Sequence, residues 1–267
     1  MIDPKLIDVQ HKFDGLVEVE NQERGLLAAG AVEFPEHLLI DRDEWTDRLA
    51  EIEKHGATSD KYSDRFTHQG NSHECVSHAA QQAIMTAYNR QLGGVEHSVW
   101  FSPLALYTRI TGGRQWGGSN VMDSLYEMME NGMIPDSDGP AGEGTQAVKF
   151  KHTLYTTAGS GEKFVKPRDL PDGWEQTAKH FRVLEAFTIP DEQAHFSAVF
   201  HGMVVVNGRQ GHSIPHFYGL YENRKYYTAY KDSYDRWLYD SERLWGGGYC
   251  IRSVTTPDDP NNPAGPQ

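Results

Sequence analysis

A cysteine at position 75 stands where a polar run gives way to an alanine-rich stretch, in His68-Gln69-Gly70-Asn71-Ser72-His73-Glu74-Cys75-Val76-Ser77-His78. At the start of a helix the unpaired amides and the dipole stabilise a thiolate, the nucleophilic form of cysteine. Gln69 lies six residues earlier, on the loop leading in. Its side-chain amide can donate, beside the Cys75 amide, to the oxyanion formed when a thiolate attacks a carbonyl. Such a thiolate needs a histidine base, and the base needs an orienter. The second half supplies Gly211-His212, 137 residues beyond Cys75, and then Lys231-Asp232-Ser233-Tyr234, with Asp232 another 20 residues on. His216 rivals His212, because residues four apart on a regular strand share a face. Pro215 between them suggests a bulge or a sheet edge.

Each of these residues has a plainer reading. A cysteine on a small-residue helix is often a buried core residue, and an Asp such as Asp232 is often a turn residue. His73-x-Cys75-x-x-His78, with His68 close by, offers soft metal ligands, but no second Cys/His pair of that spacing follows. A structural zinc site is therefore not assigned. The pairs Gly112-Gly113 and Gly117-Gly118 are not followed by Gly-Lys-Ser/Thr, so they carry no phosphate-loop signature. Cys250 reads as core.

The elements that must position these residues are partly legible. Asp41 and Glu44 predict a capping box for a helix over 42–55 with Trp45, Leu49 and Ile52 on one face, ended by Gly56. A central helix is predicted over 75–91, where Val76, Ala79, Ala80, Ala83, Ile84, Ala87 and Tyr88 form a broad stripe. Ser102-Pro103 opens a third helix that Gly112-Gly113 stops. A fourth runs from about Ser119 to Gly132. After a loop-rich stretch over 135–180, a short helix fits 191–201, followed by strands at 203–206, 216–221, 226–230 and 248–252. Asn223-Arg224 reads as a hairpin turn between two of them. Helices dominate the first half and strands the second, which predicts an α+β chain of two lobes with a site in the cleft between them.

With these residues in order, the chain resembles the papain-like cysteine protease superfamily. His68-Gln69-Gly70 followed by Cys75 is similar to that family's Asn-Gln-Gly and nucleophile. Gly117-Gly118, then a helix, then Asn131-Gly132-Met133-Ile134 resembles its glycine pair and the helix after it. Gly211-His212, Lys231-Asp232-Ser233-Tyr234 and Gly248-Tyr249-Cys250-Ile251-Arg252 resemble its Gly-His, Lys-Asn-Ser-Trp and last strand. The resemblance covers about residues 65–254. It implies a helical lobe (about 65–135) and a β-rich, barrel-like lobe (about 180–254). It also implies Cys75 as nucleophile, His212 as base, Asp232 as orienter, Gln69 at the oxyanion, Gly117 and Gly118 at the substrate, a polypeptide substrate and no cofactor. The departures are Val76 for the family's Trp, Asp232 for Asn, Tyr234 for Trp, and no disulfide partner before the nucleophile. The run from Asp43-Glu44-Trp45 through Phe101-Ser102-Pro103 to Gly117-Gly118 further resembles papain-like proteins among tailed-phage structural genes. That implies a virion or assembly role, with weak or no catalysis as the alternative to hydrolysis.

Composition bounds the rest. The 267 residues carry a net charge of −13, which argues against a nucleic-acid surface. Residues 1–60 hold 15 Asp/Glu and 6 Lys/Arg, so the segment over 1–64 reads as an acidic arm able to dock on a partner or on its own domain. The stretch over 255–267 is a Pro-rich tail. Apolar runs are too short for a membrane-spanning helix. The N-terminus lacks the pattern of a secretory leader, and two cysteines make no disulfide framework. A cytoplasmic or virion location is expected.

Overall fold

The computed structural model describes residues 22–63, 69, 73–96, 99–114, 117–135, 167–170, 172–209, 211–232, 236–241 and 247–257. The start of the acidic arm, His68, Gly70, Tyr234 and most of the Pro-rich tail lie outside these residues.

The helices are α1 (Gln22–Ala28), α2 (Trp45–His55), α3 (Cys75–Leu92), α4 (Pro103–Thr111), α5 (Val121–Glu130), α6 (Trp174–Ala178) and α7 (Glu192–Phe200). The strands are β1 (Val183–Ile189), β2 (Val205–Arg209), β3 (His212–Glu222), β4 (Lys225–Asp232), β5 (Arg236–Ser241) and β6 (Gly248–Val254). They form one antiparallel sheet in the order β1-β6-β2-β3-β4-β5, with β1 and β5 at its edges. The architecture is α+β, with helices leading and strands following.

Local chemistry explains the element ends. Ser102 accepts from the Ala105 amide at 3.1 Å, with Pro103 in the first turn of α4. The Asn120 side chain, rather than Ser119, accepts from the Asp123 amide at 2.8 Å to start α5. The predicted capping box at Asp41 and Glu44 does not form. Residues Arg42–Glu44 are a 3₁₀ turn, neither side chain caps, and the Asp41 carboxylate accepts from Gln193 at 3.1 Å instead. Asn223 and Arg224 both take positive φ, +50° and +63°, as a two-residue hairpin turn requires. Pro215 sits in regular register opposite Val206, and the irregularity of β3 falls later, between His216 and Tyr218.

Alternate residues of the sheet feed two cores. Val206, Phe217, Tyr249 and Ile251 join α3 and α5 on one face. Val205, Phe187, Ile189 and Cys250 join Trp45 and α7 on the other. The segment over 22–62 covers both. Leu26 enters the first core, Val32 pairs with Phe187 at the β1 edge, and Ile40 and Trp45 enter the second. Trp45 lies 4.3 Å from the Phe196 ring and donates to the Ile40 carbonyl at 3.0 Å. In the helical layer, buried Arg109 donates to the Gly132 carbonyl at 2.7 Å and pairs with Glu127 at 3.0 Å. Gly132 is required there: its φ is +78°, and a Cβ would run into the Ala178 carbonyl.

Candidate active site

Cys75 is the first residue of α3, and the helix is buried from there to Asn89. Its small residues let β2, β3, β6, α4 and α5 all approach it. The direction of α3 is set at its far end. Arg90 donates to the carbonyls of Gly202 and Arg252 at 2.6 and 2.7 Å, and Gln91 both donates to and accepts from the Val254 backbone at 2.9 and 2.6 Å. The helix end thus meets the beginning of β2 and the finish of β6, so α3 runs against β2. From Cys75 to Arg90 a helix climbs about 22 Å, and from Gly202 to Arg209 a strand covers about 23 Å. Cys75 therefore comes out level with the β2–β3 hairpin, whose last pair is Arg209 with His212.

His212 is the first residue of β3 and, like Cys75, has 0% exposure. Alternation sets it on the face of Ile214 and His216. The two candidate bases differ in their surroundings. His216 lies under α7, its ring 4.7 Å from that of His195 and its Nδ1 2.7 Å from the Thr228 hydroxyl. That is the face opposite α3, and by strand alternation His216 shares it with His212. Asp232 is the last residue of β4, paired with Arg236. Extending the His216–Tyr230 register by two residues sets it opposite Ile214, two positions from His212. Lys231, beside it, donates to Ser63 at 2.6 Å, and Ser63 donates to Gln82 of α3 at 2.9 Å. This chain of bonds ties the end of β4 to the helix.

Gln69 is wholly buried ahead of α3. Gly117 and Gly118 are half-buried, and the Gly117 carbonyl lies 2.7 Å from the Tyr107 hydroxyl. Burial raises the Tyr107 phenol above its ordinary range, and the charges of Glu74 and Cys75 act in the same sense. Cys250 is a core thiol 3.8 Å from the Met203 sulfur, pushed up to about 12 by burial. Both cysteines are free. Among the described residues no three His, Cys, Asp or Glu are grouped to hold a metal ion.

The sequence reading missed Glu74 and His78 as a pair. They are buried and 3.6 Å apart, one helical turn from each other. Their i,i+4 spacing was the available signal.

Neither a family model nor a curated protein sequence matches this chain. Solved structures do. Xylellain, a cysteine protease from Xylella fastidiosa, aligns with a TM-score of 0.53 at 13% identity, over 72% of this chain and 83% of its own. Procathepsin B S9 from Trypanosoma congolense aligns with a TM-score of 0.53 at 12% identity, over 91% and 87%. The cysteine protease and lectin-like domains of Cwp84, a surface layer associated protein of Clostridium difficile, align with a TM-score of 0.53 at 13% identity, over 92% and 57%. At such identity the likeness speaks for architecture: this chain has the fold of the papain-like cysteine proteases.

Proposed function

We propose that the chain is a thiol hydrolase of peptide or isopeptide bonds. Cys75 attacks the carbonyl carbon, and His212 takes the thiol proton. The oxyanion is met by the Cys75 amide and the Gln69 side chain. His212 then returns its proton to the leaving amine, and water hydrolyses the thioester by the same route in reverse. Asp232 fixes the imidazole tautomer and stabilises the imidazolium. Main-chain groups of Gly117 and Gly118 hold the substrate beside the thiol. The cysteine protease activity of xylellain favours this chemistry on the shared fold.

The observation that carries the reading is the run of α3 against β2, which brings the start of the helix level with the β2–β3 hairpin. The test is the pH–rate profile of Cys75 alkylation in a Cys250→Ser background. An ion-paired cysteine stays reactive near pH 6, well below the ordinary thiol value of about 8.5. We expect that profile, its loss in His212→Ala, and little change in His216→Ala. A rate that rises only above about pH 8 and ignores His212→Ala overturns the reading. It would favour an assembly component that keeps the fold without turnover, bound to neighbouring structural proteins. The complete burial of Cys75 and the substitution Val76 speak for that second role.

A further inference from the structure

Two long side chains, from β4 and from α3, meet at one hydroxyl that the mechanism above does not use. Lys231 of β4 is 6% exposed, and its ammonium lies 5.6 Å from the Phe217 ring and 5.3 Å from the Trp237 ring. It donates to Ser63 Oγ at 2.6 Å, and Ser63 donates in turn to Gln82 Oε1 of α3 at 2.9 Å. Ring faces and a hydroxyl acceptor are the means by which a buried ammonium is held. The 3₁₀ turn Ser59–Tyr62, just before Ser63, is stitched to the same layers. Ser59 donates to the Phe217 carbonyl of β3, and the Tyr62 carbonyl accepts from Asn89 of α3 at 2.8 Å.

Ser63 is where the chain leaves this anchored turn for the nucleophile. Gln69 stands six residues after Ser63 and six before Cys75. Both ends of that stretch are held on α3. Cys75 is the first residue of the helix, and Gln82, which takes the Ser63 bond, lies seven residues along it, a rise of about 10 Å. Six residues of extended chain reach about 20 Å. An oxyanion donor acts only within about 3 Å of its target. Sequence proximity to Cys75 therefore does not aim Gln69 by itself; a second fixed end narrows where its side chain can go.

We propose that Lys231, Ser63 and Gln82 form a positioning hub that holds the entry to α3 so that the Gln69 side chain stays aimed at the oxyanion. The three are positioning residues and act through Gln69. This deepens the reading of Gln69 and Cys75 given above and rests on it. The hub bears on attack at a carbonyl and not on ionisation of the thiol. Lys231 also precedes Asp232 in β4, so a hub that worked through the base instead would alter thiol reactivity as a whole.

The experiment compares two probes of Cys75 in the Cys250→Ser chain. With iodoacetamide the thiolate displaces iodide from a saturated carbon, and no oxyanion forms. With p-nitrophenyl acetate it attacks the acetyl carbonyl, passes through an oxyanion and expels p-nitrophenolate, leaving a thioester. Gln69→Ala slows this acylation about a hundredfold, the cost of one oxyanion donor. Ser63→Ala and Lys231→Met each slow it about tenfold, the effect of a displaced group, and leave the iodoacetamide rate unchanged. Ser63→Thr, which keeps the hydroxyl, acylates at the parent rate. In the Gln69→Ala background Ser63→Ala adds nothing, because the two act as one unit. Folded variants that acylate at the parent rate overturn the proposal, as do equal losses with both probes or a further loss in the Gln69→Ala background. Ser63→Ala takes an acceptor from a buried ammonium; if it does not fold, the Ser63→Ala/Lys231→Met chain removes both partners and carries the same comparison. A parent chain that is not acylated at Cys75, or a Gln69→Ala chain acylated at the parent rate, removes the underlying reading and the proposal with it. A slowed Gln69→Ala chain beside an unaffected Ser63→Ala chain removes the proposal alone.

Discussion

The two ends of α3 are built for opposite purposes. At the C-terminal end every long polar side chain is spent on the backbone of the sheet. Arg90 reaches Gly202 and Arg252, and Gln91 bonds both polar groups of Val254. Gly93 then ends the helix in the left-handed conformation. At the N-terminal end the N-cap side chain does not cap the helix, and buried Glu74 and His78 face each other beside Cys75. The first end anchors the helix in register with β2. The second holds polar groups out of water at a cost that the anchored end must offset. Buried polar groups of this kind destabilise unless they are satisfied.

This contrast can be broken by substitution at either end. The largest expected effect is Cys75→Ser, which should abolish thiol labelling and any turnover while moving stability by no more than about 1 kcal/mol. An unfolded Cys75→Ser chain would assign the residue to the core instead. Next, Arg90→Met should leave two carbonyls without their donor and cost about 2–4 kcal/mol in urea unfolding. The alkylation midpoint of Cys75 should not move, and a moved midpoint would mean that the ends are not independent. Gln91→Ala, which removes two neutral bonds, should cost about 1–2 kcal/mol in the same measurement.

The sheet's other face supplies a pH dependence. Burial holds the His195 imidazole down at about 3. The unfolded chain takes up that proton as pH falls through about 6.5 while the native chain does not. Stability from this group is therefore complete above about pH 6.5 and declines as pH falls toward 3, by at most about 1.4 kcal/mol per unit. Between about pH 6.5 and 5, above the carboxylate range, His195→Leu should flatten that decline. An equal slope in both chains would assign the acid sensitivity elsewhere.

Much of the helical half was legible in the sequence because its signals are local. Small residues define α3, Ser102-Pro103 starts α4, and Gly112 stops it. The hairpin at Asn223-Arg224 was legible for the same reason. Two strands were not foreseen. β1 carries register shifts between Val183 and Ala186, which destroy the alternation that marks a strand. β5 buries Asp240 beside half-buried Tyr239, so its polarity misstates its burial. The candidate site was legible as an ordered set of residue types, Gln69, Cys75, His212 and Asp232. Its geometry was not. Only the sheet register sends His212 and His216 alike to the α7 face, and only the fold turns Glu74 inward.

The segment that crosses from one face of the sheet to the other round the β1 edge has a kinetic consequence. Its anchors, Val32 against Phe187, Ile40 against Ser197 and Trp45 against Phe196, each span about 150 residues of chain. During synthesis this stretch leaves the ribosome first and finds its partners only after β1 and α7 have emerged. Until then Leu26, Ile40 and Trp45 face water, and the loops that must close are long. Folding of the whole chain therefore waits on its most distant contacts. A ribosome stalled before α7 would hold a nascent chain whose first helices are prone to aggregation or chaperone capture.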